Sequence, residues 1–195
     1  MTIDAALDLA GAVVIAAWLV ESKRNVVENI APQLARVFSP LTILLLLALL
    51  VAFAVNPHVI DVERELLILM TVILVLVLGL WLYAVSARPS EAPPGLADGL
   101  QIVLVVAAIV VDLVVLVAMA SRIAELGLTP NRSAALGLNI LLLVNLLVSA
   151  WLGLAFVRGK KPLAALERWQ TSYLPWFGAW AAVVVVLWGP IFSWA

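Results

Sequence analysis

Residues 101–120 read QIVLVVAAIVVDLVVLVAMA, an apolar run whose only ionisable group, Asp112, lies near its middle. About 20 such residues are enough to cross the hydrocarbon core of a bilayer as an α-helix. An ionisable group at that depth costs about 2.5–3.5 kcal/mol on insertion scales, so it usually faces protein or water and often has a function. The stretch therefore predicts a membrane-spanning helix, with Asp112 as its candidate functional residue.

Composition places the whole chain in the same class. Its 195 residues are 66% hydrophobic and only 12% charged, and the mean hydropathy is +1.19. Soluble domains have about twice that share of charged residues. The apolar runs are continuous rather than alternating, and an open sheet could not satisfy its backbone in lipid. We therefore predict an all-α integral membrane protein, a polytopic helical bundle.

Six apolar segments qualify as spans within one transmembrane domain covering residues 1–195. They are residues 3–20, 38–55, 66–85, 100–120, 134–157 and 174–194. The first is the weakest, because Asp4 and Asp8 interrupt its beginning, and the alternative is that it lies partly in the interface. Its acidic start does not match a signal peptide. Residues 23–37 carry apolar side chains at helical spacing, which predicts an amphipathic segment on the cytoplasmic surface.

Several kinds of chemistry are disfavoured by the residue counts. The net charge of -1 argues against a nucleic-acid partner. The chain has no cysteine and one histidine, His58, so thiolate sites and histidine metal clusters are excluded. Three acidic residues precede the third apolar segment, where stabilising the helix dipole is favoured over binding a cation; they are Asp61, Glu63 and Glu65. We expect no enzyme activity, cofactor or metal.

Positive charge is distributed unequally between the loops on the two sides of the predicted bundle. Three basic residues, Arg64, Arg122 and Arg132, fall on one side. The other side has the remaining eight of the 11: Lys23, Arg24, Arg36, Arg88, Arg158, Lys160, Lys161 and Arg168. Because cytoplasmic loops carry the excess of lysine and arginine, the larger group is predicted to be cytoplasmic. Both termini of this inner-membrane protein are then predicted to be extracytoplasmic.

A tight hairpin is predicted after the span that contains Asp112. Gly127 can end one helix, while Thr129 can cap the next helix with Pro130 at its first position. Counting 1.5 Å per residue from this hairpin puts Asp112 and Asn145 at comparable depth, and we expect a hydrogen bond between them. Asn139 is predicted to lie nearer the outer surface.

The helix after the hairpin carries small and polar residues four apart, namely Asn145, Ser149 and Gly153. Such a face suits close approach of the preceding span. Arg122, Glu125 and Arg132 form a candidate group of rim charges at the hairpin. There, Arg122 and Glu125 are expected to pair with each other or with Arg132, the alternative being a functional gate.

Several short motifs resemble the bacterial membrane family called domain of unknown function 4153. They are EREL (63–66), LYAVSAR (82–88), Asp112, ASRIAE (120–125), LTPNR (128–132) and LERWQ (166–170). The similarity extends from about residue 36 onward, and residues 129–132 are its most specific part. Members are generally longer, so the resemblance implies the carboxy-terminal half of a bacterial multi-span protein. It implies neither an established activity nor catalytic residues.

Two functions follow from these patterns. The first is a structural or assembly component of the bacterial inner membrane, whose partners are the lipid bilayer and a membrane protein or a missing amino-terminal half. The alternative is a carrier, channel or permease-like component with a polar path at Asp112, Asn139 and Asn145. A water-filled cavity at Asp112 would favour transport, and a packed Asp112 bonded to Asn145 would favour the structural role.

Overall fold

The computed structural model describes residues 38–55, 64–88 and 92–192. Five helices in these residues are long and apolar enough to cross a membrane. Their bounds are α1 (Phe38–Val55), α2 (Arg64–Ser86), α3 (Leu96–Leu126), α4 (Pro130–Val157) and α5 (Leu163–Phe192). No strand occurs in this part of the chain. The protein is thus an all-α, membrane-spanning helical bundle; segments 3–20 and 23–37 lie outside the described residues.

α3 and α5 extend furthest beyond the apolar runs from which their spans were predicted. α3 begins at Leu96 instead of residue 100 and ends at Leu126 instead of 120. α5 begins at Leu163 rather than 174 and continues through Pro175. Hydrophobicity marks only the part of a helix that lies in hydrocarbon, and a membrane helix tolerates a proline when neighbouring groups satisfy its backbone. α5 therefore begins about three turns before the apolar run from which the last span was predicted.

Contacts along the helices show that neighbours in sequence run in opposite directions. Near one end of the bundle, Gly153 of α4 lies beside Ile102 of α3. Toward the other end, the Asn139 amide of α4 lies 3.6 Å from the Met119 sulfur of α3. α3 packs more extensively against α4 than against α2. The predicted antiparallel neighbours are confirmed.

The buried core is built mostly from α2, α3 and α4, with further side chains from α1 and α5. Side chains from α2, α3 and α4 are fully buried, including Leu74, Val77, Leu104, Val111 and Leu142. The outward faces instead expose large apolar residues, among them Leu44, Val72, Val117 and Leu147. A soluble protein rarely exposes so much contiguous apolar surface, whereas a bilayer solvates it. The distribution of apolar side chains therefore agrees with a membrane protein.

α5 packs along α4 through aromatic side chains that donate to backbone carbonyls. Tyr173 donates to Leu141 (3.0 Å), and the indole of Trp180 donates to Ala134 (3.1 Å). Gly137 lies directly beneath Trp180, where an added β-carbon would overlap the ring. A partly buried indole or phenol normally finds such a partner. The absence of a side chain at Gly137 is what lets α5 approach α4.

Candidate functional site

Asp112 points into the bundle, as its cost in lipid predicted. Its side chain is 0% exposed. Neither carboxyl oxygen has a hydrogen-bond partner in the part of the chain that the structure describes. Asp112 precedes Met119 by seven residues, about two helical turns, so both lie on the same face of α3. That face is the one that Met119 presents to α4.

The predicted hydrogen bond between Asp112 and Asn145 is wrong. The Asn145 amide instead donates to Gln170 of α5 (3.2 Å), and Gln170 donates to the Ser149 hydroxyl. Ser149 in turn donates to the backbone carbonyl of Asn145 (2.6 Å). We call these three residues the amide ring. It joins α4 to α5 and is closed on itself, so Asn145 is already engaged on the side away from α3.

We predicted that the stripe of small residues on α4 faces α3, but its members face different helices. Asn145 and Ser149 contact α5, whereas Gly153 lies against Trp81 of α2 and Ile102 of α3. Four residues span about 400°, so each step of four turns about 40° further around the helix axis. Asn145 and Gly153 therefore point about 80° apart. The expectation of close approach to α3 holds for Gly153 alone.

A second polar contact joins the three central helices nearer the hairpin. The Asn139 amide nitrogen donates to the hydroxyl of Thr71 on α2 (3.1 Å) and to the carbonyl of Ala135 (3.0 Å). Thr71 donates to Leu67, one turn earlier on α2 (2.9 Å). The side-chain amide oxygen of Asn139 is buried and has no hydrogen-bond partner among the described residues. Thr71 and Asn139 form the polar layer.

The hairpin matches the predicted helix ends, and Arg132 bonds to backbone carbonyls. Gly127 has a φ of 78°, which favours glycine, and Thr129 precedes Pro130 at the first position of α4. Arg132 donates to the carbonyls of Leu126 (3.3 Å) and Gly127 (3.0 Å). The final carbonyls of a helix lack intrahelical donors, and Arg132 supplies one. Glu125 is exposed at the same hairpin, and the bonds of Arg132 to described residues go to these carbonyls.

A cavity of about 540 Å³ opens at this end of the bundle. We call it the rim cavity. Its lining is Leu67, Ile68, Met119, Arg122, Thr129, Asn131, Arg132 and Ala135. A much smaller cavity of about 10 Å³ lies deeper, between Phe53, Leu66, Leu67, Met70, Val114, Val115 and Ala118. Asp112 lines neither of them.

The rim cavity ends one helical turn from the polar layer. Its lining residues Leu67 and Ala135 are the ones whose carbonyls accept from Thr71 and Asn139. Met119 lines the cavity and also contacts Asn139. Asp112 lies about two turns further along the same face of α3. From the hairpin inward, the order is therefore rim cavity, polar layer and Asp112.

Sequence reasoning missed Thr71 and Gln170. Threonine is common in apolar helices, so Thr71 by itself gave no signal of a polar contact between helices. Gln170 lies before the predicted last span of residues 174–194 and was named only as part of the LERWQ motif. Its buried neighbours Leu166 and Tyr173 lie four before and three after it. That helical spacing was the available signal.

The other acidic residues add no metal site in the described chain. Asp61 and Glu63 lie outside the described residues, as does His58. Across residues 38–55, 64–88 and 92–192, no three His, Asp or Glu side chains come together as metal ligands would.

No protein-family model, curated protein or solved structure matches the chain.

Proposed function

We propose that this multi-pass membrane protein is a carrier- or channel-like component that handles protons at Asp112. Asp112 lines neither cavity and is not bonded to Asn145, so neither arrangement expected from the sequence is present among the described residues. The observation that carries the proposal is the fully buried carboxyl, whose oxygens have no hydrogen-bond partner in that part of the chain. The amide ring satisfies its own polar atoms at a similar depth. A carboxyl that only locked helices together would be expected to bond in the same way. Ionisable groups inside a bundle often mark proton or ion pathways.

The arrangement of the polar groups indicates the side of the bundle from which a proton reaches Asp112. The rim cavity reaches the level of Leu67 and Ala135, and the polar layer follows one turn deeper. The unpartnered Asn139 oxygen is an acceptor between that level and Asp112. Met119 lies beside Asn139 and lines the cavity, and its unbranched side chain can change rotamer with little strain. We infer that Met119 is the gate between the cavity and Asp112.

A proton suits this site better than a metal cation. Calcium and magnesium take six or more oxygen ligands, whereas a proton needs only one carboxylate oxygen. Among the buried residues of the described chain, Asp112 is the only Asp, Glu, His, Lys or Arg. In this proposal the protein is not an enzyme and uses no cofactor.

A structural or assembly role in the inner membrane is the second candidate. The amide ring favours it, because its three buried side chains do nothing but join α4 to α5. Intramembrane polar contacts of this kind contribute about 0.6 kcal/mol on average. A partner membrane protein, or an amino-terminal half, would then dock on the exposed apolar faces.

Replacing Asp112 with asparagine tests the first candidate against the second. The purified protein would be reconstituted in vesicles that contain a pH-sensitive dye and carry an imposed potassium gradient with valinomycin. We expect wild-type protein to acidify the vesicles faster than protein-free vesicles do, and Asp112→Asn to remove that difference. Asparagine has almost the same shape as the acid but cannot bind and release a proton.

The matched control is Glu125→Gln, which neutralises an exposed carboxylate at the hairpin. It should leave proton flux unchanged. Helix content and elution volume in detergent establish that each variant is folded. Flux through wild-type protein equal to that of empty vesicles, or unchanged flux in a folded Asp112→Asn variant, would refute proton handling and leave the structural role.

We also propose that the chain ends lie outside the cytoplasm. Support comes from the uneven loop charges and from the alternating helix directions, which place the hairpin and the Arg158 end on opposite sides. The chain has no cysteine, so single cysteines at Leu128 and Lys160 report cleanly. In intact bacterial cells, a membrane-impermeant maleimide should label Leu128→Cys. Lys160→Cys should react only after permeabilisation, and the reverse pattern would invert the topology.

The relationship to domain of unknown function 4153 stays a proposal. It rests on the motifs named above, of which residues 129–132 build the hairpin and contribute to the rim cavity. If it holds, the rim cavity should be a common feature of that family, and an amino-terminal half would be a partner of this chain.

A further inference from the structure

We infer that the rim cavity binds the phosphate headgroup of an anionic phospholipid from the surrounding bilayer. The cavity lies where α2, α3 and α4 meet at the hairpin, and its volume of about 540 Å³ is suited to a headgroup. This inference shares the rim cavity and Met119 with the proposed proton path, but it does not depend on proton handling at Asp112, because phosphate binding requires only the lining of the cavity.

The lining of the cavity has a charged and polar part and an apolar part. Arg122 and Arg132 bring two positive charges to the helix ends, together with the polar Thr129 and Asn131. Leu67, Ile68, Met119 and Ala135 form the apolar part. Glu125, the acidic residue of the same hairpin, is not among the lining residues. A cationic rim over an apolar base is complementary to a phosphate ester attached to acyl chains.

Arg132 is held in a position to receive a phosphate. Both of its described hydrogen bonds use Nη1, which donates to the carbonyls of Leu126 and Gly127. Nε and Nη2 remain for a ligand. An arginine fork matches the geometry of phosphate oxygens and can bind them in bidentate fashion. The side chain is half-buried, so a bound phosphate would be partly shielded from water.

The apolar side of the cavity indicates a lipid rather than a soluble phosphate compound. Ile68 lines the cavity and is 50% exposed, and Val72, one turn deeper on α2, is 58% exposed. These residues form an outward-facing apolar strip that continues from the cavity toward the bilayer interior. An acyl chain could lie along this strip while its phosphate stays at Arg132. A water-soluble phosphate compound would leave the strip unused.

Lipid binding by the purified full-length chain tests the inference. The protein in neutral detergent would be titrated with phosphatidylglycerol or phosphatidylcholine, and bound lipid would be counted by native mass spectrometry. We expect tighter binding of phosphatidylglycerol, and a loss of about tenfold in its affinity for Arg132→Gln, since charge-assisted bonds to phosphate are lost. Arg158→Gln, an exposed arginine at the opposite end of α4, is the matched control and should bind as wild type does.

A second variant separates lipid binding from the role of Arg132 at the end of α3. Ile68→Trp fills the apolar side of the cavity and leaves both arginines in place, so it should also weaken phosphatidylglycerol binding. Equal affinity for both lipids in wild-type protein, or unchanged affinity in Ile68→Trp and Arg132→Gln, would overturn the inference. Displacement of the lipid by millimolar inorganic phosphate would assign the site to a soluble phosphate compound and would also overturn it.

Discussion

Gly153→Leu will lower the free energy of unfolding of the bundle by roughly 2–4 kcal/mol, because the new side chain has no space between three helices. A β-carbon at this position would already lie 3.2 Å from the Trp81 ring and 3.5 Å from Ile102. The remaining three carbons of leucine would have to displace one of these side chains. Trp81 is only 3% exposed, so it has little room to move.

The matched control is Gly79→Leu on α2. A β-carbon there meets nothing within 4 Å, and the residue is exposed. A leucine facing lipid at this position should leave stability unchanged or raise it slightly, because leucine is a better helix former than glycine. Both variants would be unfolded by titrating sodium dodecyl sulfate into mixed micelles, with helix content as the signal. Equal midpoints for Gly153→Leu and Gly79→Leu would show that α4 does not approach α2 and α3 closely.

Arg88→Met should be the second strongly destabilising change, at roughly 2–4 kcal/mol. Arg88 follows α2 and pairs with Asp98 in the first turn of α3, with Nε 2.8 Å from one carboxylate oxygen and Nη2 3.0 Å from the other. Nη2 also donates to the carbonyls of Ala92 and Pro93. The guanidinium lies 4.5 Å from the centre of the Phe156 ring on α4. One side chain thus ties together three helices.

Loss of the charge leaves Asp98 without its ion-pair partner at a position where its side chain is only 19% exposed. Asp98 would keep the hydrogen bond from the Gly95 backbone (2.7 Å), so α3 would still begin at the same residue. Methionine preserves much of the apolar stem against Phe156, which isolates the effect of the charge. Arg158→Met removes an exposed arginine from the same end of the bundle and should change stability by less than about 0.5 kcal/mol. A loss no larger than that in Arg88→Met would disprove the role of the ion pair.

The sequence located the polar residues inside the apolar helices but did not identify their hydrogen-bond partners. The cost of a carboxyl in lipid predicts that Asp112 faces inward, whichever helices surround it. Its predicted partner, Asn145, was chosen by depth alone. Depth follows from residue count, whereas direction depends on the angle around the helix axis and on which neighbour occupies that angle. Asn145 lies at the expected depth but faces Gln170 on α5.

Local signals determined the helices, their order and the hairpin, since these depend on hydrophobicity, length and the conformations open to Gly127 and Pro130. These properties belong to single residues or short runs, so the sequence contains them directly. Only the tertiary structure decided that Arg132 bonds to the end of α3, that Gln170 closes the amide ring and that Asp112 has no described partner. The physical reason is that lipid solvates every apolar face about equally well. Which face meets which helix is therefore decided by shape and hydrogen bonding between residues far apart in the chain.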